Sequence, residues 1–99
     1  MIPGKPLSFN FLSELVETNK QIVNDQNVYQ FEFRNLGDVP VWINNSIYLP
    51  GMNVSGKMSV YKETINQEEK TKAQYSIRFE NDTDFEIQLL QVIKKIPSK

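Results

Sequence analysis

The stretch from Tyr29 to Gly51 constrains the fold more than any other part of this chain. It reads Tyr-Gln-Phe-Glu-Phe-Arg-Asn-Leu-Gly-Asp-Val-Pro-Val-Trp-Ile-Asn-Asn-Ser-Ile-Tyr-Leu-Pro-Gly. Tyr29, Phe31 and Phe33 alternate with Gln30, Glu32 and Arg34, so one face of a strand is apolar and the other polar. Asn35-Leu36-Gly37-Asp38 predicts a turn in which Gly37 is free to take a positive φ. Val39, Val41 and Ile43 then supply the core face of a second strand and put Trp42 on its opposite face. Pro40 lacks an N–H, so this strand is expected to start at a sheet edge or with that position toward solvent. Asn44-Asn45-Ser46 is a second turn, a short third run follows, and Pro50-Gly51 ends it. Turns at such short intervals predict an antiparallel meander.

The same period continues on both sides. Residues 1–6 hold two prolines and a glycine, which predicts an extended N-terminal arm over residues 1–12 and a single domain over 13–99. Leu7, Phe9 and Phe11 alternate with Ser8 and Asn10 and favour extended structure. Phe11, Leu12, Leu15 and Val16 also fit one face of a short helix. Ile22 and Val23 suit a short edge strand before a turn at Asn24-Asp25. Met52, Val54, Gly56, Met58 and Val60 predict a long strand with a bulge or close approach at Gly56. Residues 62–72 read as an exposed loop or hairpin tip. Residues 73–80 and 85–93, joined by Asn81-Asp82-Thr83-Asp84, read as a hairpin. Its phase slips at Leu89-Leu90, through a bulge or through burial on both faces. The expected fold is an all-β antiparallel sandwich, immunoglobulin-like or jelly-roll-like, with six or seven strands.

Composition narrows the function classes. Ninety-nine residues suffice for one modest core, burying roughly 60–65% of the unfolded surface. With 11 basic and 12 acidic side chains interspersed, no basic stripe is available to neutralise phosphates, so no direct nucleic-acid partner is expected. The sequence contains neither Cys nor His, which removes disulfides, thiol nucleophiles, imidazole bases and most zinc chemistry. The first residues lack the apolar core of a signal peptide, and no run approaches the ~18–20 apolar residues of a membrane span. Synthesis in the cytoplasm, with no membrane partner, is the expectation.

The carboxylates Glu32, Asp38, Glu80, Asp82, Asp84 and Glu86 would need to converge in a cleft to act as an acid–base pair, and they fall on solvent faces or in turns. Residues 80–86 offer oxygen ligands that calcium accepts, but lack the twelve-residue loop spacing, and a side-chain-stabilised turn is the favoured reading. No catalytic, cofactor or metal residue is therefore assigned. The candidate partner contacts are Leu7, Phe9, Phe11, Trp42 and Tyr48. The first three complete the core or dock on another subunit. Trp42 and Tyr48 either lie in a second layer or form an outward platform for a protein or a sugar ring.

The run from Phe33 to Asn44, followed by Leu49-Pro50-Gly51, resembles small β-sandwich proteins of tailed-phage virions, in particular accessory capsid or connector-region proteins of crAss-like phages. Where such modules carry a second glycine after the Ile-Asn pair, this chain has Asn45. The resemblance implies a non-enzymatic, multi-copy virion component: an auxiliary or decoration protein contacting the major capsid protein and possibly itself. It implies no cofactor. A carbohydrate- or ligand-binding sandwich module is the alternative.

Overall fold

The period-two patterns become strands. The computed structural model describes residues 9–24, 27–65, 74–80 and 87–97. They form β1 (Phe9–Val16), β2 (Lys20–Val23), β3 (Gln30–Asn35), β4 (Val41–Ile43), β5 (Ile47–Leu49), a one-turn helix α1 (Met52–Ser55), β6 (Ser59–Thr64), β7 (Gln74–Phe79) and β8 (Leu90–Pro97). The strands lie in two four-stranded sheets, ordered β1-β8-β3-β6 and β2-β7-β4-β5. The architecture is thus the expected all-β sandwich, with eight strands among the described residues rather than six or seven.

The pairing follows one rule. β1 pairs with β8, β2 with β7, β3 with β6 and β4 with β5, all antiparallel. The chain is a long hairpin whose tip is the β4–β5 turn, rolled so that successive pairs alternate between sheets. Rolling adds the β3–β8 and β4–β7 ladders. This is jelly-roll topology, which decides between the two expected sandwich types. Phe31, Phe33, Val39, Val41, Ile43, Leu49, Tyr75, Ile77, Phe79, Leu90 and Val92 fill one core between the sheets. The rings of Phe31 and Phe33 lie 4.8 and 4.9 Å from that of Tyr75, so aromatic contacts join the two layers.

The knot of this fold is Asn35, at the end of β3 and fully buried. Its Nδ2 faces the carbonyls of Val39 (3.0 Å), Leu49 (3.1 Å) and Pro50 (3.3 Å), and its Oδ1 accepts the Gly37 N–H at 3.0 Å. One amide thereby ties the end of β3 in the first sheet to the segment leading into β4 and to the end of β5 in the second. The segment after it is clamped from the other side: Leu36 N–H donates to the Leu89 carbonyl and Asp38 N–H to that of Ile87. Gly37 and Gly51 are required here by crowding. A Cβ on Gly37 would stand 2.2 Å from the Ile87 oxygen, and one on Gly51 1.9 Å from that of Asp38.

Several expectations are corrected. Tyr29 to Gly51 is not a meander, because β3 lies in the first sheet and β4 and β5 pair in the second. Gly37 has no positive φ; close approach explains it. Pro40 precedes a strand that is internal to its sheet, and its carbonyl accepts the Glu80 N–H at 2.9 Å. Residues 52–55 are helical rather than extended, because Gly56 at φ 73° closes the turn onto the Met52 carbonyl and leaves Met52 and Val54 exposed. β7 and β8 are not a hairpin. Both edges of β7 are occupied by β2 and β4, and residues 87–89 cross to the opposite sheet along residues 36–39. That crossing, not a bulge or two-sided burial, is the phase slip at Leu89-Leu90. Phe9–Val16 is a strand, so residues 9–12 of the expected arm belong to the sheet. Of the expected loop 62–72, residues 62–64 belong to β6 and Ile65 is buried in the core. Residues 1–8, the turn position Asp25, the rest of that loop and the turn Asn81–Asp84 lie outside the described residues. Among the described residues no helix is long and apolar enough to cross a membrane.

Asn35→Ala leaves buried carbonyls and one N–H unsatisfied, and should cost about 3 kcal/mol in urea unfolding. A loss below ~1 kcal/mol would show that Asn35 is not the tie between the sheets.

Candidate functional site

The tip hairpin places the two aromatic candidates. The Ser46 N–H donates to the Ile43 carbonyl at 3.2 Å across a turn whose central residues, Asn44 and Asn45, have φ of 55° and 57°. Asparagine tolerates the left-handed region, and two positive φ angles match the strand twist. The same asparagines bolt the turn to β7. Asn44 Oδ1 accepts the Ser76 N–H at 2.8 Å, and Asn45 Oδ1 accepts Arg78 Nε–H at 3.1 Å.

This register sets Trp42 directly opposite Tyr48 on one side and Arg78 on the other. The Trp42 and Tyr48 rings are 4.8 Å apart and tilted by 53°. The Arg78 guanidinium lies 5.7 Å from the Trp42 centroid, within cation–π range. Trp42 is half-buried and Tyr48 is 46% exposed. The three side chains form a row across the outer face of the second sheet. It offers an apolar aromatic surface with a guanidinium at one end, a pattern common at contact hot spots.

Phe9 and Phe11 lie on the outer face of the other sheet. Phe9 packs edge-on against Tyr29 at 5.2 Å, with the Lys95 ammonium 4.4 Å from its ring. Phe11 is 66% exposed and Leu15, two pairs further along β1, 57%. The fifth candidate, Leu7, lies outside the described residues. The candidates thus fall into two surfaces on opposite sheets. Sequence reasoning missed Arg78 and Leu15. Leu15 shares the odd-numbered parity of Phe9 and Phe11, a signal obscured by the helical reading; Arg78 depends on a pairing distant in sequence.

Along β1 and β8 an open cavity of about 280 Å³ is lined by Leu12, Ser13, Glu14 and Lys94. Glu14 accepts from Lys20 at 2.8 Å and meets Lys94 at 3.4 Å. The hydrogen bond from Lys20, with the charge of both lysines, holds the Glu14 carboxyl below its ordinary value of 4.5. On the far side, Glu63 accepts from Tyr61 at 2.8 Å and from Tyr75 across the layer. Burial first, and the Glu63 carboxylate second, push the Tyr75 phenol upward. These are internal ties.

Of the carboxylates considered for catalysis, Glu32 faces outward on the first sheet, bridged to Arg34 and, at 3.8 Å, to Lys62. Asp38 sits in the junction after β3, and Glu80 follows β7 in the other sheet. Asp82, Asp84 and Glu86, and with them the calcium reading, lie outside the described residues. Among the described residues no three acidic side chains gather where they could hold a metal ion. Comparison with protein-family models, curated proteins and solved structures found no match to this chain.

Glu14 has a testable pH signature. Its carboxyl is depressed in the folded state, so its contribution is present above about 4.5 and lost as pH falls through the folded value. Between about pH 5 and pH 3 the wild type should lose more stability than Glu14→Gln, by under ~1 kcal/mol because the pair is solvent-screened. Parallel urea curves for the two proteins at both pH values would contradict the ion-pair account.

Proposed function

We propose that this chain is a non-enzymatic structural protein of a tailed-phage virion, an auxiliary or decoration protein that binds the capsid surface. Its partners are the major capsid protein and other virion components, and its place is the virion, assembled in the host cytoplasm. The observation that carries this reading is the pair of outward surfaces on opposite sheets, Trp42–Tyr48–Arg78 and Phe11–Leu15. A rigid sandwich with apolar anchors on both outer faces is suited to lie between neighbours, adding contact area on each side. The jelly roll is also an architecture that viral shell proteins use, which supports the reading by analogy.

Purified protein mixed with assembled particles should sediment with them. Trp42→Ala or Phe11→Lys should weaken that binding by ~10-fold or more, with folding intact, as loss of a hot-spot anchor does. Protein that stays in the supernatant at micromolar concentrations removes the decoration role.

A carbohydrate-binding module is the second reading, favoured by the juxtaposition of Trp42 and Tyr48 beside a guanidinium. Glycan-array binding that disappears in Trp42→Ala would select it, whereas a blank array returns the platform to protein contacts.

A further inference from the structure

Each sheet of a sandwich ends in strands whose outer backbone groups are open to a new neighbour, and proteins ordinarily guard such edges. Three of the four edges here are guarded. β5 has three residues, β2 has four and carries Lys20, and β6 carries Lys62 on its outer face. β1 differs. It is an eight-residue strand with an unbroken antiparallel register to β8, without proline or bulge. Among the described residues no strand pairs with its other side. Its one charge, Glu14, is turned inward and neutralised by Lys20 and Lys94. Its outward side chains are Phe9, Phe11, Ser13 and Leu15, with Phe11 and Leu15 66% and 57% exposed.

That outward row is self-complementary. In an antiparallel ladder, residues directly opposite each other point to the same face. If β1 meets β1 of a second copy across a two-fold axis at Ser13, Phe11 of each copy stands opposite Leu15 of the other. Two aromatic–aliphatic pairs then flank a central Ser13 pair. Moving the axis to Leu12 sets Phe11 against Ser13, and moving it to Glu14 sets two carboxylates face to face. Of these three axes, the one at Ser13 sets the two most exposed apolar residues, Phe11 and Leu15, against each other without opposing like charges.

We infer that β1 is a homodimerisation edge, at which two copies join through Ser13-centred antiparallel pairing into one continuous eight-stranded sheet. The partner is a second copy because the edge complements its own sequence. This goes beyond the capsid reading and does not depend on it, since the pair would form between isolated chains. The contact lies at the small end of specific interfaces, so association is expected in the range of ~10–100 µM. The capsid-facing role of the Trp42 row is left untouched by it, because that row lies on the other sheet.

The native chain has no cysteine, which makes an engineered thiol diagnostic. In the inferred pair the two Ser13 Cα atoms lie about 5 Å apart, within disulfide reach. The two Leu15 Cα atoms are about 14 Å apart, beyond it. Full-length Ser13→Cys should therefore form a disulfide-linked dimer under mild oxidation, and Leu15→Cys should not. Sedimentation velocity of the cysteine-free wild type should show a monomer–dimer equilibrium. Phe11→Lys should weaken it ~10-fold or more with unchanged circular dichroism, whereas Trp42→Ala should leave it unaffected. A wild type that stays monomeric at ~100 µM overturns the inference. So does equal cross-linking of the two cysteine variants, or a dimer sensitive to Trp42→Ala and not to Phe11→Lys. Particle binding by a strictly monomeric wild type would sink the dimer and spare the decoration role.

Discussion

A buried amide with all its partners in place is the constraint on which this fold turns. Asn35 is fully buried, and three carbonyls and one N–H converge on it from the junction after β3 and from the end of β5. Hydrophobic packing alone would let the two sheets slide, since apolar contact is non-directional. The amide supplies direction. It admits one spacing between the end of β3 and the end of β5, and leaving its partners unsatisfied costs more than the bonds themselves contribute. Around it the backbones approach so closely that Gly37 and Gly51 tolerate no side chain. The tip hairpin is thereby anchored, and with it the register that aligns Arg78, Trp42 and Tyr48.

Rolling a long hairpin about this anchor has a consequence at the other end. The strands near the tip, β4 and β5, are short and held by Asn44, Asn45 and Asn35. The strands furthest from the tip, β1 and β8, are the longest, and β1 is left at an edge. Near β1 and β2, Glu14, Lys20 and Lys94 stand among the aliphatic side chains of Leu12, Ile22 and Val23. Charged side chains turned between the sheets thus gather at the β1 margin, far from the tip.

The faces of β3 and β4 are legible in the sequence because Phe31, Phe33, Val39, Val41 and Ile43 alternate cleanly, and a half-buried strand requires that alternation. The opposition of Trp42 and Tyr48 is legible too, once Asn44-Asn45 is read as a turn of two positive φ angles. Pairing is not. The patterns of β7 and β8 give their buried faces but not their neighbours, so two strands adjacent in sequence look like a hairpin while belonging to opposite sheets. Met52, Val54 and Met58 mimic a strand because alternation of period two survives in any exposed segment by chance, without a sheet to receive it. Asn35 reads as a turn former. Its role depends on carbonyls up to fifteen residues away, which no local signal reports. The outward row of β1 needs only parity, yet Leu12 and Val16 add a helical period that hides it.

The distribution of polarity is partly inverted. With 39% hydrophobic residues the chain has little apolar surface to spare. Even so, Phe11, Leu15 and Tyr48 are set facing outward, while Asn35, Glu63 and Lys94 face the space between the sheets. For a chain that works alone this is the costlier arrangement, since each exposed large side chain forgoes about 1.5–3 kcal/mol of burial and each inward polar group requires a partner. The inward groups have those partners: Glu63 holds two tyrosine hydroxyls and Glu14 sits between two lysines. The outward ones stay largely open to solvent, Phe11 at 66% and Leu15 at 57%, and they gather into two rows on opposite sheets instead of scattering. Surplus apolar surface that is sorted by face and held in register by buried hydrogen bonds is what a component of a larger assembly requires.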